Sequence, residues 1–277
     1  MNRFEPRIEV AVARVRAEVS RLHKQLVRGG LTSWTSGVVS GRVPGAELFV
    51  VKPGGLDHSE LAPDNMVLVD LDGVVVEGTP GSERRATRGV AVHARLYRHS
   101  EAIGGIAHTH SPYATAFALR GEPVPVLTTT VADEFGGPVP VIPYTSPDDD
   151  IAALLAQTLD AQPSRAVLLE RHGLYTVGAG PRDAVRAAVL AEDAARAVHL
   201  ARAGGAEIPP LDAPDVETIR ARRLAADARD TARSAEPLGA AGLPTNRPGT
   251  ARTSGETGSW TTPGSKITPD NDVRITE

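Results

Sequence analysis

Apolar residues recur with a helical period near the start of the chain. Six of them, each three or four positions after the last, mark one face of a helix: Ile8, Val12, Val15, Val19, Leu22 and Leu26. The pair Gly29-Gly30 predicts where this helix ends. The same kind of reading predicts helices at residues 90–99, 112–119, 147–159 and 181–203, the last opening with Pro-Arg-Asp and ending at a second glycine pair.

Short apolar runs of strand length lie between the predicted helices. They read ELFVVK, NMVLVDL, GVVVEG, IGGIAH, VPVIPY and RAVLLE in chain order. Asp-Leu-Asp-Gly separates residues 67–71 from residues 73–76 and predicts a tight hairpin. Hairpins combined with helices predict a single domain of the α/β class with α+β character, in which helices flank a largely antiparallel central sheet.

The apolar pattern stops near Ser234. Residues 234–277 are rich in Gly, Pro, Ser and Thr, and such a segment cannot bury enough surface to offset the entropy of ordering. We therefore expect one folded domain over residues 1–233 and a disordered C-terminal tail over residues 234–277.

Charge and composition narrow the class of protein. The net charge is −4 with both signs interspersed, which predicts neither a nucleic-acid surface nor a membrane surface. No apolar run is typical of a signal peptide or a membrane span. The absence of cysteine excludes disulfides and thiolate ligands and fits a reducing compartment. These features predict a cytoplasmic protein.

Histidines carry the first candidate chemistry. His108 and His110 are two positions apart, so on a strand both side chains leave the same face and could reach one cation at about 2.0–2.1 Å. Histidine is also tolerated where a strand ends at the surface, so the pair alone leaves both readings open. His172, between an apolar strand and a glycine, is the candidate third ligand. The other histidines are predicted to be packing or helix-surface residues: His23, His58, His93, His99 and His199.

Four blocks in order carry a family resemblance: FVVKPGGLDHSELAPDNMVLVDLDGVVVEGT, IGGIAHTHSPYATAFA, VADEFGGPVPVIPY and AVLLERHGLYTVG. Over residues 22–202 the chain resembles the class II aldolase/adducin family, and within it the L-ribulose-5-phosphate 4-epimerases. The resemblance implies a divalent cation, usually zinc, on His108, His110 and His172. It also implies retro-aldol cleavage of a phosphorylated keto-sugar through an enediolate, in a homotetramer whose sites lie between subunits.

The resemblance also implies roles for other residues. Asp133 matches the acid/base aspartate that acts across a subunit boundary, whereas Glu134 would point elsewhere on an extended segment; either carboxylate could instead be a solvated loop charge. Glycine and hydroxyl loops imply phosphate binding, although these glycines could equally serve tight turns. The implied phosphate residues are Gly37, Ser40, Lys52, Gly54, Gly55, Thr87 and Arg88.

The sequence also departs from the family pattern. Val38 replaces an asparagine, Gly54 replaces a hydroxyl residue, and Gly89 stands where the family has an acid, nineteen positions before His108. The nearest upstream carboxylate is Glu83, and residues 216–230 lack the family's C-terminal tyrosine. Three hypotheses follow: an ordinary epimerase or aldolase, an enzyme with an altered substrate for which Arg88 supplies phosphate contacts, or a non-catalytic interaction module.

Overall fold

The first helix follows the predicted apolar face. In the computed structural model, which describes residues 4–77, 86–205 and 207–235, helix α1 spans Pro6–Arg28 and buries all six of the periodic apolar residues. The amide of Gly29 caps the helix by donating to the carbonyl of Gln25 at 2.9 Å. The remaining helices are α2 (Val90–His99), α3 (Pro112–Arg120), α4 (Thr129–Phe135), α5 (Asp148–Ala161), α6 (Pro181–Arg202) and α7 (Ala213–Ala235).

One mixed sheet links the strands of the described residues. They are β1 (Val38–Arg42), β2 (Leu48–Val51), β3 (Val67–Asp70), β4 (Val75–Glu77), β5 (Gly105–Thr109), β6 (Val141–Ile142), β7 (Ala166–Leu169) and β8 (Gly173–Gly178). Their order across the sheet is β4-β3-β2-β1-β5-β8-β7-β6. Every neighbouring pair is antiparallel except β6 and β7, so the predicted largely antiparallel sheet is confirmed.

Helices cover both faces of the sheet. The period-2 alternation of the strands sends Val39 and Ala107 to one side, where α1, α3 and α6 pack, and sends Val38 and Ile106 to the other side, where α2 and α5 pack. Strand neighbours are held in a register that pairs Val38 with His108 and His108 with Tyr175. The centre of the sheet is therefore buried on both faces, and its ends remain available for loops.

Several predicted elements differ from the observed ones. The segment around Asp133 is the helix α4, not an extended chain, because the Thr128 side chain accepts a hydrogen bond from the Val131 amide and caps the first turn. The run VPVIPY contributes only Val141 and Ile142 to the sheet. Strand β1 and helix α7 were not expected from the pattern.

The predicted C-terminal tail lies almost wholly outside the described residues. Residues Met1–Arg233 form one compact unit. Helix α7 continues through Ala235, so residues 234 and 235 are helical and not tail; the rest of the predicted tail lies outside the described residues, as does Glu83. Among the helices of the described ranges, none combines the length and the apolar character needed to cross a membrane.

Candidate metal centre and substrate site

Three histidines meet at one end of the sheet. His108 is the fourth residue of β5, and His110 follows the last residue of that strand. His172 lies in the tight turn between β7 and β8, where Arg171 adopts a positive φ of 55°. Because β8 lies directly beside β5, the turn brings His172 against the end of β5. The sheet order thus assembles residues that are more than sixty positions apart in the chain.

The ring nitrogens point at one another. His108 Nε2 lies 3.1 Å from His172 Nε2 and 3.0 Å from His110 Nε2. A tetrahedral zinc ion with Zn–N bonds of about 2.0–2.1 Å holds its ligand nitrogens about 3.3 Å apart, so these two distances need only a small adjustment. Among the residues that the structure describes, these side chains are the one group of three potential ligands with donor atoms within 4.8 Å of one another.

The protonation of the three rings suits a metal site. His108 Nδ1–H donates to the carbonyl of Leu174 at 3.0 Å, which leaves the lone pair on Nε2, where the other two rings converge. Burial, reinforced by the neighbouring imidazoles, lowers the pKa of His108 well below its ordinary value. Burial also lowers the pKa values of His110 and His172. At neutral pH all three rings are therefore neutral, which is the form that binds a cation.

Neighbouring residues fix the ligands in place. The ring of Tyr175 stacks on that of His108 at 4.1 Å between centroids and 16° between planes. At Gly173 a Cβ atom would lie 2.4 Å from the Thr109 carbonyl oxygen and 2.8 Å from His110 Cδ2. Only glycine therefore allows the β7–β8 turn to approach the end of β5 so closely, which gives a physical reason for the His-Gly sequence.

The start of α3 anchors the loop that carries His110. The carboxylate of Glu192, on α6, accepts hydrogen bonds from the amides of Tyr113 and Ala114 at 3.0 and 2.8 Å. These amides belong to the first turn of α3 and have no partner within the helix. A negative charge there is also favoured by the helix dipole. The chain is thus held three residues after His110.

The donor set fits a transition-metal dication with open positions. Imidazole suits Zn, Cu, Fe and Ni, whereas Mg and Ca prefer oxygen ligands, and the group of three includes no carboxylate. His108 is buried, but His110 is exposed and His172 is partly exposed. Three protein ligands with one side open to solvent is the arrangement of a catalytic metal site, because substrate oxygens can complete the coordination.

Several predicted phosphate residues lie at the same end of the sheet. Gly37 immediately precedes β1, whose first residue pairs with His108. Lys52 follows β2, and its buried ammonium group donates to the Thr35 carbonyl. The amide of Thr87 donates to the Lys52 carbonyl at 3.3 Å. Three chain segments that are separate in sequence therefore meet beside the β5 end.

Burial sets the charge state of this region. It lowers the pKa of Lys52 to about 8, so the ammonium form still dominates at neutral pH. Gly54 and Gly55 form an exposed turn after Lys52, and Arg88 is exposed beside Thr87. The same part of the molecule thus contains the buried ammonium group of Lys52, the exposed guanidinium of Arg88 and the exposed Gly54-Gly55 turn.

Ser40 does not join this group. It lies within β1 and is fully buried, and its hydroxyl is 2.7 Å from both His93 Nδ1 and the Tyr97 hydroxyl. Its position is that of an interior residue linking the sheet to α2, not that of a surface phosphate ligand. Sequence spacing does not tell whether a serine on a strand turns its hydroxyl toward the protein interior or toward a binding site.

Asp133 does not belong to the group that the three histidines form. It is on α4, and its carboxylate is 3.5 Å from the guanidinium of Arg223 on α7. Glu134 does point elsewhere, as predicted: its side chain is buried and accepts a hydrogen bond from Arg186 at 2.7 Å. The two adjacent carboxylates are separated by the turn of a helix rather than by strand alternation.

The other histidines are packing or surface residues, as predicted. Both ring nitrogens of His23 are used inside the protein, Nδ1 with the Val19 carbonyl and Nε2 with the Val39 amide. His58 and His93 are also buried. His99 pairs with Asp160 at 3.0 Å, and the ring of His199 contacts that of Tyr113.

Sequence reasoning missed two residues beside the metal centre. The ring of Tyr144 lies over that of His172, with 5.7 Å between centroids and 26° between planes. Burial lowers the pKa of His172 and raises that of Tyr175; the charge of Asp148 partly offsets the first effect and adds to the second. The only signal for Tyr144 was its place at the end of an apolar run, which does not distinguish a site residue from a surface one.

Known proteins share this fold and this stretch of sequence. The model of the class II aldolase and adducin N-terminal domain matches residues 17–199. The L-ribulose-5-phosphate 4-epimerase UlaF of Salmonella paratyphi B is 33% identical over 209 residues, covering 72% of this chain and 90% of that protein. The structure of an L-fuculose 1-phosphate aldolase is 28% identical with a TM-score of 0.68, covering 76% of this chain and 95% of its own.

A second solved structure agrees in fold. The L-fuculose 1-phosphate aldolase from Glaciozyma antarctica PI12 has a TM-score of 0.66 at 23% identity, and the match covers 80% of this chain and 86% of that one. The matched family region, residues 17–199, includes all three clustered histidines and most of the sheet that carries them. The chain therefore belongs to the class II aldolase and adducin family.

Proposed function

We propose that the chain is a divalent-metal-dependent enzyme that breaks and re-forms, or simply breaks, a C–C bond in a phosphorylated keto-sugar. The observation that carries this proposal is the convergence of three neutral imidazoles at the sheet end that also holds Lys52, Thr87 and Gly37. The similarity to an L-ribulose-5-phosphate 4-epimerase favours L-ribulose 5-phosphate as the substrate. Aldol cleavage of another keto-sugar phosphate is the alternative, supported by the likeness to an L-fuculose 1-phosphate aldolase.

His108, His110 and His172 are the proposed metal ligands, with Zn²⁺ as the metal. The chemistry that a bound Zn²⁺ supplies is Lewis-acid stabilisation of the negative charge that develops as the C–C bond breaks. The ligands themselves remain neutral, so the full charge of the cation acts on the substrate. The Leu174 carbonyl and the Tyr175 ring hold His108 in the orientation that this requires.

The phosphate of the substrate binds, in this proposal, to the surface formed by Gly37, Gly54, Gly55, Thr87 and Arg88. Exposed backbone amides of glycine turns can donate to phosphate oxygens, and the guanidinium of Arg88 offers paired donors. The ammonium group of Lys52 already donates to the Thr35 carbonyl. In this proposal Lys52 therefore contributes its positive charge rather than a direct hydrogen bond to the phosphate. This chain lacks the hydroxyl and the asparagine of the family pattern, and the exposed Arg88 offers hydrogen-bond donors in their place.

Asp133 is the proposed proton-transfer group, delivered to the metal centre of a neighbouring subunit in a homotetramer. Its helix, α4, packs against α6 and is held by Arg220, which donates to the Asp133 carbonyl at 2.7 Å. The carboxylate would accept the proton of the substrate hydroxyl on the carbon that becomes the aldehyde, while the C–C electron pair stays with the ketone fragment. Re-addition to the other face of the aldehyde returns the proton and gives the epimer. If the aldehyde is released instead, the proton passes to the enediolate carbon and gives the ketone product.

Metal analysis combined with a substrate screen tests the proposal. The purified protein should contain about one divalent metal per chain, and a chelator should abolish turnover of L-ribulose 5-phosphate or L-fuculose 1-phosphate. His108→Ala, His110→Ala and His172→Ala should each lose the metal and the activity. His99→Ala and His199→Ala are matched controls that should retain both.

Two outcomes would count against this function. Full metal content in all five variants would show that the metal binds elsewhere. Stoichiometric metal without turnover of any pentulose or hexulose phosphate would instead favour the non-catalytic interaction module.

A further inference from the structure

The strand order places Tyr144 and the phosphate surface on opposite sides of the metal centre. Lys52 follows β2 and Gly37 precedes β1, both to one side of β5, whereas β8, β7 and β6 continue on the other side. Strands β6 and β7 are parallel, so Tyr144, two residues beyond β6, emerges at the same sheet end as the turn that carries His172. Adjacent strands are about 4.8 Å apart, so a sugar phosphate bound at the phosphate surface and the metal can extend toward Tyr144.

One face of the Tyr144 ring is used by the metal ligand, and the rest of the side chain is free. The ring stacks on His172, yet the residue is 54% exposed. No described residue forms a hydrogen bond with its hydroxyl. A phenol that is fixed by stacking on a ligand and still open to solvent can contact the substrate without a large loss of side-chain entropy.

The charge on this side differs from that on the phosphate side. Asp148 begins α5, and its carboxylate acts electrostatically on His172 and Tyr175. Arg171, which precedes His172 in the chain, lies 3.6 Å from Glu170, and Arg95 pairs at 2.8 Å with Asp149, the residue after Asp148. A carboxylate therefore stands four residues after Tyr144, in the first turn of α5.

We propose that Tyr144 is a specificity-determining residue: its hydroxyl binds an uncharged hydroxyl of the substrate at the end remote from the phosphate, and Asp148 disfavours substrates with a second anionic group there. The proposal rests on the proposed function. It names the substrate class as keto-sugar monophosphates with a neutral, hydroxylated far end. Bisphosphates and sugar acids phosphorylated at one end should be poor substrates, because their far-end charge meets a carboxylate.

The test compares Tyr144→Phe with wild type on two matched substrates. One is whichever of L-ribulose 5-phosphate and L-fuculose 1-phosphate the metal-loaded wild type converts; the other is its deoxy analogue without the hydroxyl farthest from the phosphate. Tyr144→Phe should lower kcat/KM for the parent substrate by about 3- to 10-fold, the effect of one neutral hydrogen bond, and should leave the analogue unchanged. Tyr113→Phe, which removes a hydroxyl from a tyrosine packed near His199, is the control.

Metal content and a charge variant complete the test. The Tyr144→Phe protein should keep its metal, because a phenylalanine ring can still stack on His172. Asp148→Asn should raise kcat/KM for the corresponding bisphosphate relative to the monophosphate. In an active enzyme, an equal loss of kcat/KM on the parent substrate and the analogue, or no loss on either, would overturn the role of the Tyr144 hydroxyl. If the metal-loaded wild type converts no pentulose or hexulose phosphate, the proposed function fails, and this inference fails with it.

Discussion

His23 should make the folded protein less stable at acid pH, and the surroundings of its side chain give the size of this effect. The side chain is fully buried on α1; its Nδ1–H donates to the Val19 carbonyl at 2.8 Å, and its Nε2 accepts from the Val39 amide at 3.0 Å. Because Nε2 accepts a hydrogen bond, the ring must be neutral. Burial, the largest cause, lowers the pKa of His23 from 6.5 to about 3.

The direction and size of the effect follow from proton binding. Above pH 6.5 the ring is neutral in both the folded and the unfolded chain, so pH has no effect through this group. Between pH 6.5 and about 3 the unfolded chain binds one more proton than the folded chain, so stability falls as the pH falls. Each pH unit in this window corresponds to about 1.4 kcal/mol, which gives a loss of about 2 kcal/mol between pH 6.5 and pH 5.

Urea unfolding of wild type and His23→Gln at pH 8 and pH 5 measures this contribution. The variant should be less stable at pH 8, because the imidazole packing is lost, but its loss on going to pH 5 should be about 2 kcal/mol smaller than that of wild type. His99→Gln, a change at the surface, is the control. His93 is buried with its pKa lowered to about 3 as well and keeps part of the acid sensitivity in both proteins. An identical pH dependence for wild type and His23→Gln would refute the reasoning.

Three further predictions concern the site and its assembly. Gly89, the residue before α2, has a φ of 78°, so Gly89→Asp should cost about 1 kcal/mol of stability and lower Tm by about 2–4 °C. Calorimetric titration should nevertheless show tighter metal binding. Unchanged metal affinity in a folded variant would exclude this position as a ligand site. Sedimentation should show a homotetramer, and a stable monomer at micromolar concentration would count against a shared site. Because the pKa values of His108, His110 and His172 are lowered, metal affinity should stay constant from pH 8 to 6.5 and weaken only at lower pH; a decline that begins near pH 8 would contradict neutral ligands.

Local sequence patterns predicted the elements whose stability comes from an unbroken apolar period. Helix α1 needed only its apolar face and a glycine stop, and α2 was predicted with its observed bounds. Part of the histidine cluster was also predictable, because His108 and His110, two positions apart on a strand, share a face regardless of what surrounds the strand. His172 was a candidate because it lies between an apolar strand and a glycine, and the likeness to a known family then supported that choice.

Elements held by distant contacts were not predictable in this way. Among the described side chains of α7, Val216 is buried and Ile219 packs against the core in part. The helix is held to α4 by Arg220, which donates to the carbonyls of Asp133 and Glu134 at 2.7 and 2.9 Å. Those acceptors lie more than eighty residues away in the chain. Ser40 failed for a related reason: the pairing of β1 with its neighbours, not its own residue type, turns its hydroxyl toward His93.

The register of the sheet connects these observations, because the same pairing sets both the core and the site. Val38 pairs with His108, and His108 pairs with Tyr175. One row across three strands therefore connects the start of β1 to His108 and to the tyrosine ring that stacks on it. A shift of one residue between β5 and a neighbour would exchange Ile106 and Ala107 between the two apolar faces and turn His108 toward α6. The apolar residues on both faces oppose that shift. The core therefore fixes the direction of the His108 ring. If the three histidines hold a metal as proposed, variants that loosen the packing of β5 should lose the metal before they lose their fold.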